Sequence, residues 1–255
     1  MSSDLPLARR DLIAQRLAAG QPVVAATLAA EFVVSEDAIR RDLRALAAEG
    51  RCRRVYGGAL PPAAGAPALA QRLGEGRERK QALARAAAAT VRPGEFVFLD
   101  AGSTNLALVE YLPEDADLTV ATNAIDIAAA LLRRQDLRLL MVGGSVDLQV
   151  GGCVDATALL AVQRLNIERC FLGACALSAA GASAHDAGDA EFKRALVAAS
   201  RRLLVLATSD KLGAHAAHRV APAAAFDTIV LEPDADSALQ AALSAAGATI
   251  VHAQA

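Results

Sequence analysis

The chain has no tryptophan, and aromatic residues make up only 3% of its 255 positions. A platform that stacks single-stranded bases needs exposed rings in series, so that mode of nucleic-acid binding is excluded. Cysteine is scarce too: Cys52, Cys153, Cys170 and Cys175 are scattered with no C-x-x-C pair. That pattern indicates neither a zinc knuckle nor a disulfide framework, and buried reduced thiols are expected. Two of the four histidines, His215 and His218, lie close together on a polar stretch read as surface rather than as a metal site. No apolar run reaches the ~18 residues a membrane span requires, and the first residues lack the cationic-then-apolar order of a secretory leader. A cytoplasmic protein with no membrane partner, no metal and no cofactor is expected.

A strong charge bias is also missing, since 26 Lys+Arg stand against 28 Asp+Glu for a net charge of −2. The sum conceals an asymmetry. Residues 1–60 hold nine Arg and seven acids, whereas residues 61–255 hold 17 basic and 21 acidic groups. Six of those arginines fall within 37–56, against three acids, so the positive charge is concentrated in one short stretch. What the chain has in abundance is alanine, 63 residues, within a composition that is 54% hydrophobic. That hydrophobicity is inconsistent with intrinsic disorder, and the length fits one large domain or a large one with a small companion.

Arg9, Ile13, Arg16 and Leu17 follow Pro6 at helical spacing, so residues 7–19 read as an amphipathic helix stopped by Gly20. A second short helix fits 24–31, with Phe32-Val33-Val34 as a turn. Ser35 is placed to cap a third helix over 36–49, and Gly50 is a natural stop. On that helix Ile39, Leu43 and Leu46 form a stripe, which puts Asp37, Arg40, Arg41 and Arg44 on the opposite face. Two helices with a tight turn, at about 23–42, and an arginine-rich outer face suit a helix-turn-helix whose second helix enters the major groove of duplex DNA. Arginine can donate two hydrogen bonds to guanine or clamp a phosphate. Arg51 to Ala59 alternates basic and apolar residues before Gly57-Gly58, which reads as a hairpin wing carrying Arg53 and Arg54. The bland alternative is a solvated charged helix followed by a charged turn.

Pro61 to Pro67 has a linker's composition, which divides the chain into residues 1–60, a linker over 61–75 and a larger domain over 76–255. In the larger domain apolar runs at 96–99, 118–121, 137–142, 170–172, 203–207 and 228–231 alternate with helical stretches at 77–91, 105–112, 124–134, 189–200 and 236–246. Such alternation predicts a mostly parallel, doubly wound α/β sheet with ligands at the carboxyl ends of its strands. At the first such end lies Asp100-Ala101-Gly102-Ser103-Thr104-Asn105, where a glycine, two hydroxyls and a helix start favour a phosphate or carboxylate. Ordinary N-capping is the competing reading of that turn. Thr122-Asn123, Gly143-Gly144-Ser145, Gly151-Gly152, Gly173-Ala174 and Ser209-Asp210-Lys211 occupy later strand ends, and Lys211 adds a positive charge.

These residues resemble the DeoR-type bacterial transcriptional regulators. The family's S-x-x-T-[IL]-R-R-D-L and R-V-H-G-G-A correspond to Ser35 to Leu43 and Arg54 to Ala59, with Ala38 in place of the Thr and Tyr56 in place of the His. Its F-L-D-x-G-S-T, T-N, G-G, F-[LI]-G-A, E-A-x-V-K-R and D-S-S-K-F-G correspond to Phe98 to Thr104, Thr122-Asn123, Gly143-Gly144, Phe171 to Ala174, Asp189 to Arg194 and Thr208 to Gly213. Asn105 stands where a second Thr is common, and Asp189 where Glu is usual. The resemblance implies a winged helix-turn-helix followed by a sheet domain resembling sugar-phosphate isomerases, used to sense a phosphorylated sugar or polyol. It implies that Ser35, Asp37, Arg40, Arg41, Arg44, Arg53 and Arg54 bind double-stranded operator DNA. It also implies effector contacts from Asp100, Gly102, Ser103, Thr104, Asn123, Gly144, Gly173, Asp189, Lys193 and Lys211. A homodimer or homotetramer is expected, because operators pair half-sites through protein symmetry.

The leading expectation is a ligand-responsive repressor that is not an enzyme. Two alternatives stay open at this stage: a sugar-phosphate isomerase or deaminase with an added DNA-binding module, using Asp100 or Asp189 as base, and a DNA-binding protein whose large domain only oligomerises.

Overall fold

The computed structural model describes residues 6–49, 51–61 and 69–254, so the expected helix stop at Gly50 and linker residues 62–68 lie outside the described residues. The chain divides into two compact units, Met1–Gln71 and Arg72–Ala255.

In the first unit α1 is Pro6–Ala18, β1 Val23–Val24, α2 Ala25–Glu31, α3 Glu36–Ala48, β2 Arg53–Val55 and β3 Gly58–Leu60. Ser35 caps α3 as expected, its Oγ accepting from the Ala38 N–H at 3.3 Å. Ile39, Leu43 and Leu46 are buried with Ile13 and Leu17 of α1 and Leu28 of α2, a three-helix core. The wing is three-stranded, because the short β1 joins the hairpin in the order β1-β3-β2, all antiparallel. Gly58 is required there, since a Cβ on it would stand 2.1 Å from the Val23 carbonyl oxygen.

The turn after α2 closes with the Val33 N–H on the Ala30 carbonyl at 3.4 Å and the Val34 N–H on the Ala29 carbonyl at 3.0 Å. This is a Schellman closure, and its left-handed position is normally glycine. Here Val33 holds it at φ 53° while its side chain is 89% exposed. A β-branched residue in that region costs about 1–2 kcal/mol, and no buried contact offsets it. Val33→Gly is therefore expected to stabilise the first unit by about 0.5–1 kcal/mol after glycine's greater unfolded-state entropy is allowed for. Urea unfolding followed by a probe confined to this unit checks it, and a destabilised variant would refute the strain argument.

The second unit begins as α4, Leu69–Gly74, spans the boundary and continues with α5 (Arg77–Ala88), β4 (Phe96–Leu99), α6 (Ser103–Leu108), β5 (Leu118–Thr122), α7 (Ile125–Leu131), β6 (Leu137–Met141), β7 (Val146–Asp147), β8 (Gly152–Cys153) and α8 (Ala156–Val162). There follow β9 (Arg169–Leu172), β10 (Ala176–Ser178), β11 (Gly181–Ala184), α9 (Ala187–Ala199), β12 (Leu203–Ala207), β13 (His218–Ala221), β14 (Thr228–Leu231), α10 (Ser237–Ala245) and β15 (Thr249–His252). Seven strands form one sheet in the order β15-β14-β12-β9-β4-β5-β6, every pair parallel. Val97, Leu99, Phe171, Leu204 and Val230 pack with α5, α6 and α7 on one face, while Phe98, Leu172, Val205 and Ile229 pack with α8, α9 and α10 on the other. Burying each such side chain contributes about 1.5–3 kcal/mol relative to leaving it in water. The small Ala84, Ala87 and Ala88 let α5 lie close to the sheet.

Several expected boundaries move. The helix expected over 105–112 starts at Ser103 and tightens into a 3₁₀ turn over Val109–Tyr111, and that expected over 124–134 ends at Leu131. His218, read as lying on a polar loop, starts β13, which joins β10 and β11 in a small antiparallel sheet. All four cysteines are free, three of them buried and Cys175 half-buried. Among the described residues no helix is long and apolar enough to cross a membrane.

Candidate DNA-binding face and sensor site

On the first unit Asp37, Arg40, Arg41 and Arg44 lie exposed along α3, opposite its buried stripe. They are not equivalent. Arg40 is held by Glu36 Oε2 at 2.9 Å and faces Asp37 Oδ1 at 3.6 Å, both on its own helix. Among the described residues Arg41 and Arg44 make no ion pair, and neither do Arg53 and Arg54 on the exposed strand β2. Tyr56 is fully exposed at the hairpin tip. The structure adds Arg9, whose Nε donates to Asp42 Oδ2 at 2.7 Å in a buried pair tying α1 to α3. An acidic residue on the apolar stripe, three after Ile39, is the sequence sign of such a partner.

In the second unit the polar strand ends do gather. Asp100, which follows β4, is completely buried. Its Oδ2 accepts from Lys193 Nζ at 2.7 Å and from the Gly173 N–H at 2.8 Å, and its Oδ1 accepts from the Ala101 N–H at 2.8 Å. Lys193 also donates to Asp189 Oδ1 at 2.7 Å, one turn earlier on α9, and both of those residues are buried. Burial raises the Asp100 carboxyl above its ordinary range, with Lys193 opposing and Asp189 adding to the rise. Lys193 is disfavoured by burial, but the two carboxylates outweigh that and hold its ammonium well above the usual value.

Asn123 is buried with its Oδ1 accepting from the Ala101 N–H at 3.2 Å and its Nδ2 donating to the Cys153 carbonyl at 3.1 Å. Asn105, unassigned as a ligand from sequence, donates from Nδ2 to the carbonyls of Asp100 at 2.9 Å and Phe171 at 2.8 Å, locking β4 to β9. Asp100, Asn123, Asp189 and Lys193 are thus engaged with the protein itself and hold the 100–104 loop in place.

Gly173 must be glycine, for a Cβ would lie 2.4 Å from the Ala101 carbonyl. Gly144, at φ 149°, would drive a Cβ to 2.3 Å from Asp155 Oδ1. That carboxylate caps α8 and accepts from the Ser145 N–H at 2.9 Å, so Gly144 serves loop closure. Gly102 has a φ of 167°, extended backbone that any residue adopts, and the nearest atom to a Cβ on it would be Gly173 Cα at 3.9 Å. Protein packing does not demand glycine there.

Ser103 and Thr104 open α6 and are buried, and among the described residues Thr104 Oγ1 is the one buried side-chain polar atom without a hydrogen-bond partner. A buried unpaired hydroxyl costs about 1–3 kcal/mol. Across β9, Lys211 follows β12 on a 3₁₀ turn, Ser209–Lys211. Arg79 braces that turn, pairing with Asp210 at 3.3 Å and bidentately with Glu232 at 2.5 and 2.6 Å, while the Ser209 N–H donates to Glu232. The Arg79 pair draws the Glu232 carboxyl down to about 2. Lys211 itself is half-buried and makes no ion pair or side-chain hydrogen bond among the described residues. Desolvation, with repulsion from Arg72 and Lys80, pulls its ammonium down to about 8.

A winged helix with exposed, unpaired arginines, carried on the same chain as a separate α/β unit, defines a DNA-binding regulator. Residues 9–62 match the DeoR-like helix-turn-helix domain and residues 75–233 the DeoR C terminal sensor domain, and the chain belongs to the DeoR family of transcriptional regulators. It is 32% identical over 230 residues to the uncharacterized HTH-type transcriptional regulator YgbI of Escherichia coli (strain K12), which covers 89% of this chain and 90% of that one. It is 28% identical over 191 residues to the glycerol-3-phosphate regulon repressor of the same strain, covering 74% of this chain and 76% of the relative. These relatives are named as regulators rather than enzymes. Ribose 5-phosphate isomerase A from Neisseria gonorrhoeae aligns over 55% of each chain at 16% identity with a TM-score of 0.40.

Proposed function

We propose that this regulator is a repressor of a carbohydrate or polyol catabolic operon whose grip on operator DNA is governed by a phosphorylated sugar or polyol bound at the carboxyl end of the parallel sheet. In this reading residues 1–60 bind DNA, 61–75 link, and 76–255 bind the effector. Ser35, Asp37, Arg40, Arg41 and Arg44 face the major groove, and Arg53 and Arg54 meet phosphates from the wing. Ser103, Thr104 and Lys211 take the effector's phosphate over the floor made by Gly102 and Gly173, while Asp100, Asn123, Asp189 and Lys193 hold that loop rigid. The protein works in the cytoplasm as a homodimer or homotetramer. The observation that carries the effector reading is the pair of unmet groups beyond the carboxyl ends of β4 and β12, the two strands that flank β9: the Thr104 hydroxyl and the Lys211 ammonium. The naming of one relative as a glycerol-3-phosphate regulon repressor supports the ligand class.

Thermal shift against glycerol 3-phosphate, with glycerol as control, tests it. Ligand at 100 times its Kd stabilises the folded state by about 2.7 kcal/mol. The Lys211 ammonium must be charged to hold an anion, and it titrates at about 8 under the influence of burial, Arg72 and Lys80, with Cys175 and Asp210 opposing. Raising the pH through 8 removes that charge and weakens binding, while lowering it below ~6 protonates the phosphate monoester. The shift is therefore expected to peak between those values and to be lost in Lys211→Met. An equal response to glycerol, or an undiminished one in Lys211→Met, would remove the phosphate assignment.

A further inference from the structure

We infer that β6, an open edge of the parallel sheet, pairs antiparallel with the β6 of a second copy of this chain, so that two α/β units share one continuous sheet across a two-fold axis. The inference rests on the homo-oligomeric reading above and assigns that reading a surface.

Within the sheet β6 pairs with β5 alone. The Val142 N–H donates to the Thr122 carbonyl at 2.8 Å, which turns the backbone groups of Arg138, Leu140 and Val142 toward β5. Alternation along the strand then turns the N–H and C=O groups of Leu137, Leu139 and Met141 outward, where no strand lies among the described residues. Natural sheets blunt such an edge with lysine, proline, a bulge or a covering element. β6 reads Leu-Arg-Leu-Leu-Met in unbroken register with β5, and it leaves Leu140 and Met141 exposed. Its one charge, Arg138, is occupied with Asp117 at 3.4 Å. The helix over this edge is apolar outside as well. α7 packs on β6 and against α6, which makes it the outermost helix of that face, and Leu137 and Leu139 pack into the core on the same side. Along α7 and its C-cap, Ile125, Ala129 and Leu132 are exposed at spacings of four and three, a stripe whose last member is 74% exposed.

The occupant is a second copy because the edge complements itself. Setting Leu139 opposite the partner's Leu139 brings every outward group into register, giving about six main-chain hydrogen bonds. Leu137 then faces the partner's Met141, and Arg138 faces the partner's Leu140. A shift that set Arg138 opposite the partner's Arg138 would place like charges face to face, which is destabilising. Beyond the strand, the chain at 134–135 passes the partner's Gly143 and the partner's Gly144, which carry no side chains to obstruct it. A two-fold axis perpendicular to the sheet also brings both α7 helices to the same face of the seam. The opposite edge, β15, offers less, for its Ile250 and Val251 pack inward and its exposed residues are Thr249 and His252. Joining β6 to β15 of another copy would propagate head to tail into a filament, whereas β6 on β6 closes.

The test uses the full chain in sedimentation velocity over a concentration series, with hydrogen exchange of the β6 amides at the same concentrations. The wild type is expected to sediment as a dimer or larger, and the amides of Leu139 and Met141 to exchange more slowly as concentration rises. Leu140→Lys would face the partner's Arg138 and is expected to raise the dissociation constant of this contact by at least about tenfold. Adding Arg138→Glu to Leu140→Lys is expected to recover most of that loss, because opposite charges then meet across the seam. Leu132→Glu, on the exposed stripe of α7, is expected to weaken the contact in the same direction and serves if Leu140→Lys does not fold. An oligomer whose dissociation constant in both Leu140→Lys and Leu132→Glu stays within twofold of wild type, or whose Leu139 and Met141 amides exchange freely, overturns this surface and leaves the oligomeric reading standing. A wild type that is monomeric throughout the series overturns both. Dissociation in Leu140→Lys with no recovery on adding Arg138→Glu supports the edge and removes the register centred on Leu139.

Discussion

Replacing Lys193 with methionine is expected to destabilise the α/β unit by about 3–5 kcal/mol at neutral pH, the range for removing one partner of a buried ion pair. Methionine fills nearly the same volume, so a cavity contributes little and the cost is electrostatic. Asp100 and Asp189 would be left facing each other in the interior with no cation, since Lys193 is the ammonium that meets both at 2.7 Å. Asp100 would keep the Gly173 and Ala101 N–H donors, which are too few to hold two buried carboxylates ionised. The sign with pH follows. Burial already raises the Asp100 carboxyl in the presence of Lys193, and removing the lysine raises it further. A carboxyl whose folded value lies above its unfolded one is favourable to the fold only at low pH, and its contribution is lost as pH rises through the folded value. The deficit of Lys193→Met should therefore be smallest near pH 5 and largest at neutrality in urea unfolding. Adding Asp100→Asn should recover part of it, because the amide removes one of the two opposed charges. A deficit below about 1 kcal/mol at pH 7, or one that does not change with pH, would mean that the triad does not stabilise the unit through its charges.

That triad marks where reading the chain reaches its limit. Asp189 and Lys193 are four apart, a spacing that puts them on one face of a helix, and their pairing is visible in the sequence. The partner Asp100 is 93 residues away, and only the assembled sheet brings the end of β4 against α9. The sequence accordingly shows Asp100, Asn123, Asp189 and Lys193 as polar residues near strand ends, while the bonds they make to one another and to the loop after β4 appear only in the assembled sheet. The helix-turn-helix was legible because Ile39, Leu43 and Leu46 repeat at helical period and Ser35 caps the helix start. The parallel strands were legible because burial on both faces writes them as unbroken apolar runs such as Phe96–Leu99 and Leu203–Ala207. Weaker elements gave no such signal. The seven-residue α8 has no polar face in Ala156–Val162, and β10 and β11 are built from alanine, serine and glycine beside a single leucine, residues poor in strand propensity that only the contact with β13 makes into a sheet. The turn over Phe32 to Val34 was legible, but its Schellman geometry was not, because valine is among the last residues expected at a left-handed position.

On the other unit, the double substitution Arg41→Ala/Arg44→Ala is expected to cut affinity for the protein's own promoter DNA by at least about tenfold and to flatten its salt dependence. The reason lies in what each arginine already holds. Arg41 and Arg44 are exposed and make no ion pair among the described residues, so they can meet DNA without breaking anything. Arg40 must first leave Glu36 at 2.9 Å, and Glu36 and Asp37 would both repel the backbone once it did. Arg40→Ala should consequently cost less than either of its neighbours. If both removed side chains neutralise phosphates, the slope of log K against log salt should fall by about 0.9 for each, close to 1.8 in the double variant. If one of them reads a guanine edge instead, its loss costs about 1–3 kcal/mol and relaxes preference at a single base pair. The slope then falls by about one unit only. Fluorescence anisotropy over a range of potassium chloride, on the promoter fragment and on a scrambled duplex of equal length, separates these cases. The wing supplies the control, for Arg53→Ala/Arg54→Ala should lower both duplexes alike if those residues meet only phosphate. Wild-type affinity and slope in Arg41→Ala/Arg44→Ala would show that the face opposite the buried stripe of α3 is not the one that meets DNA.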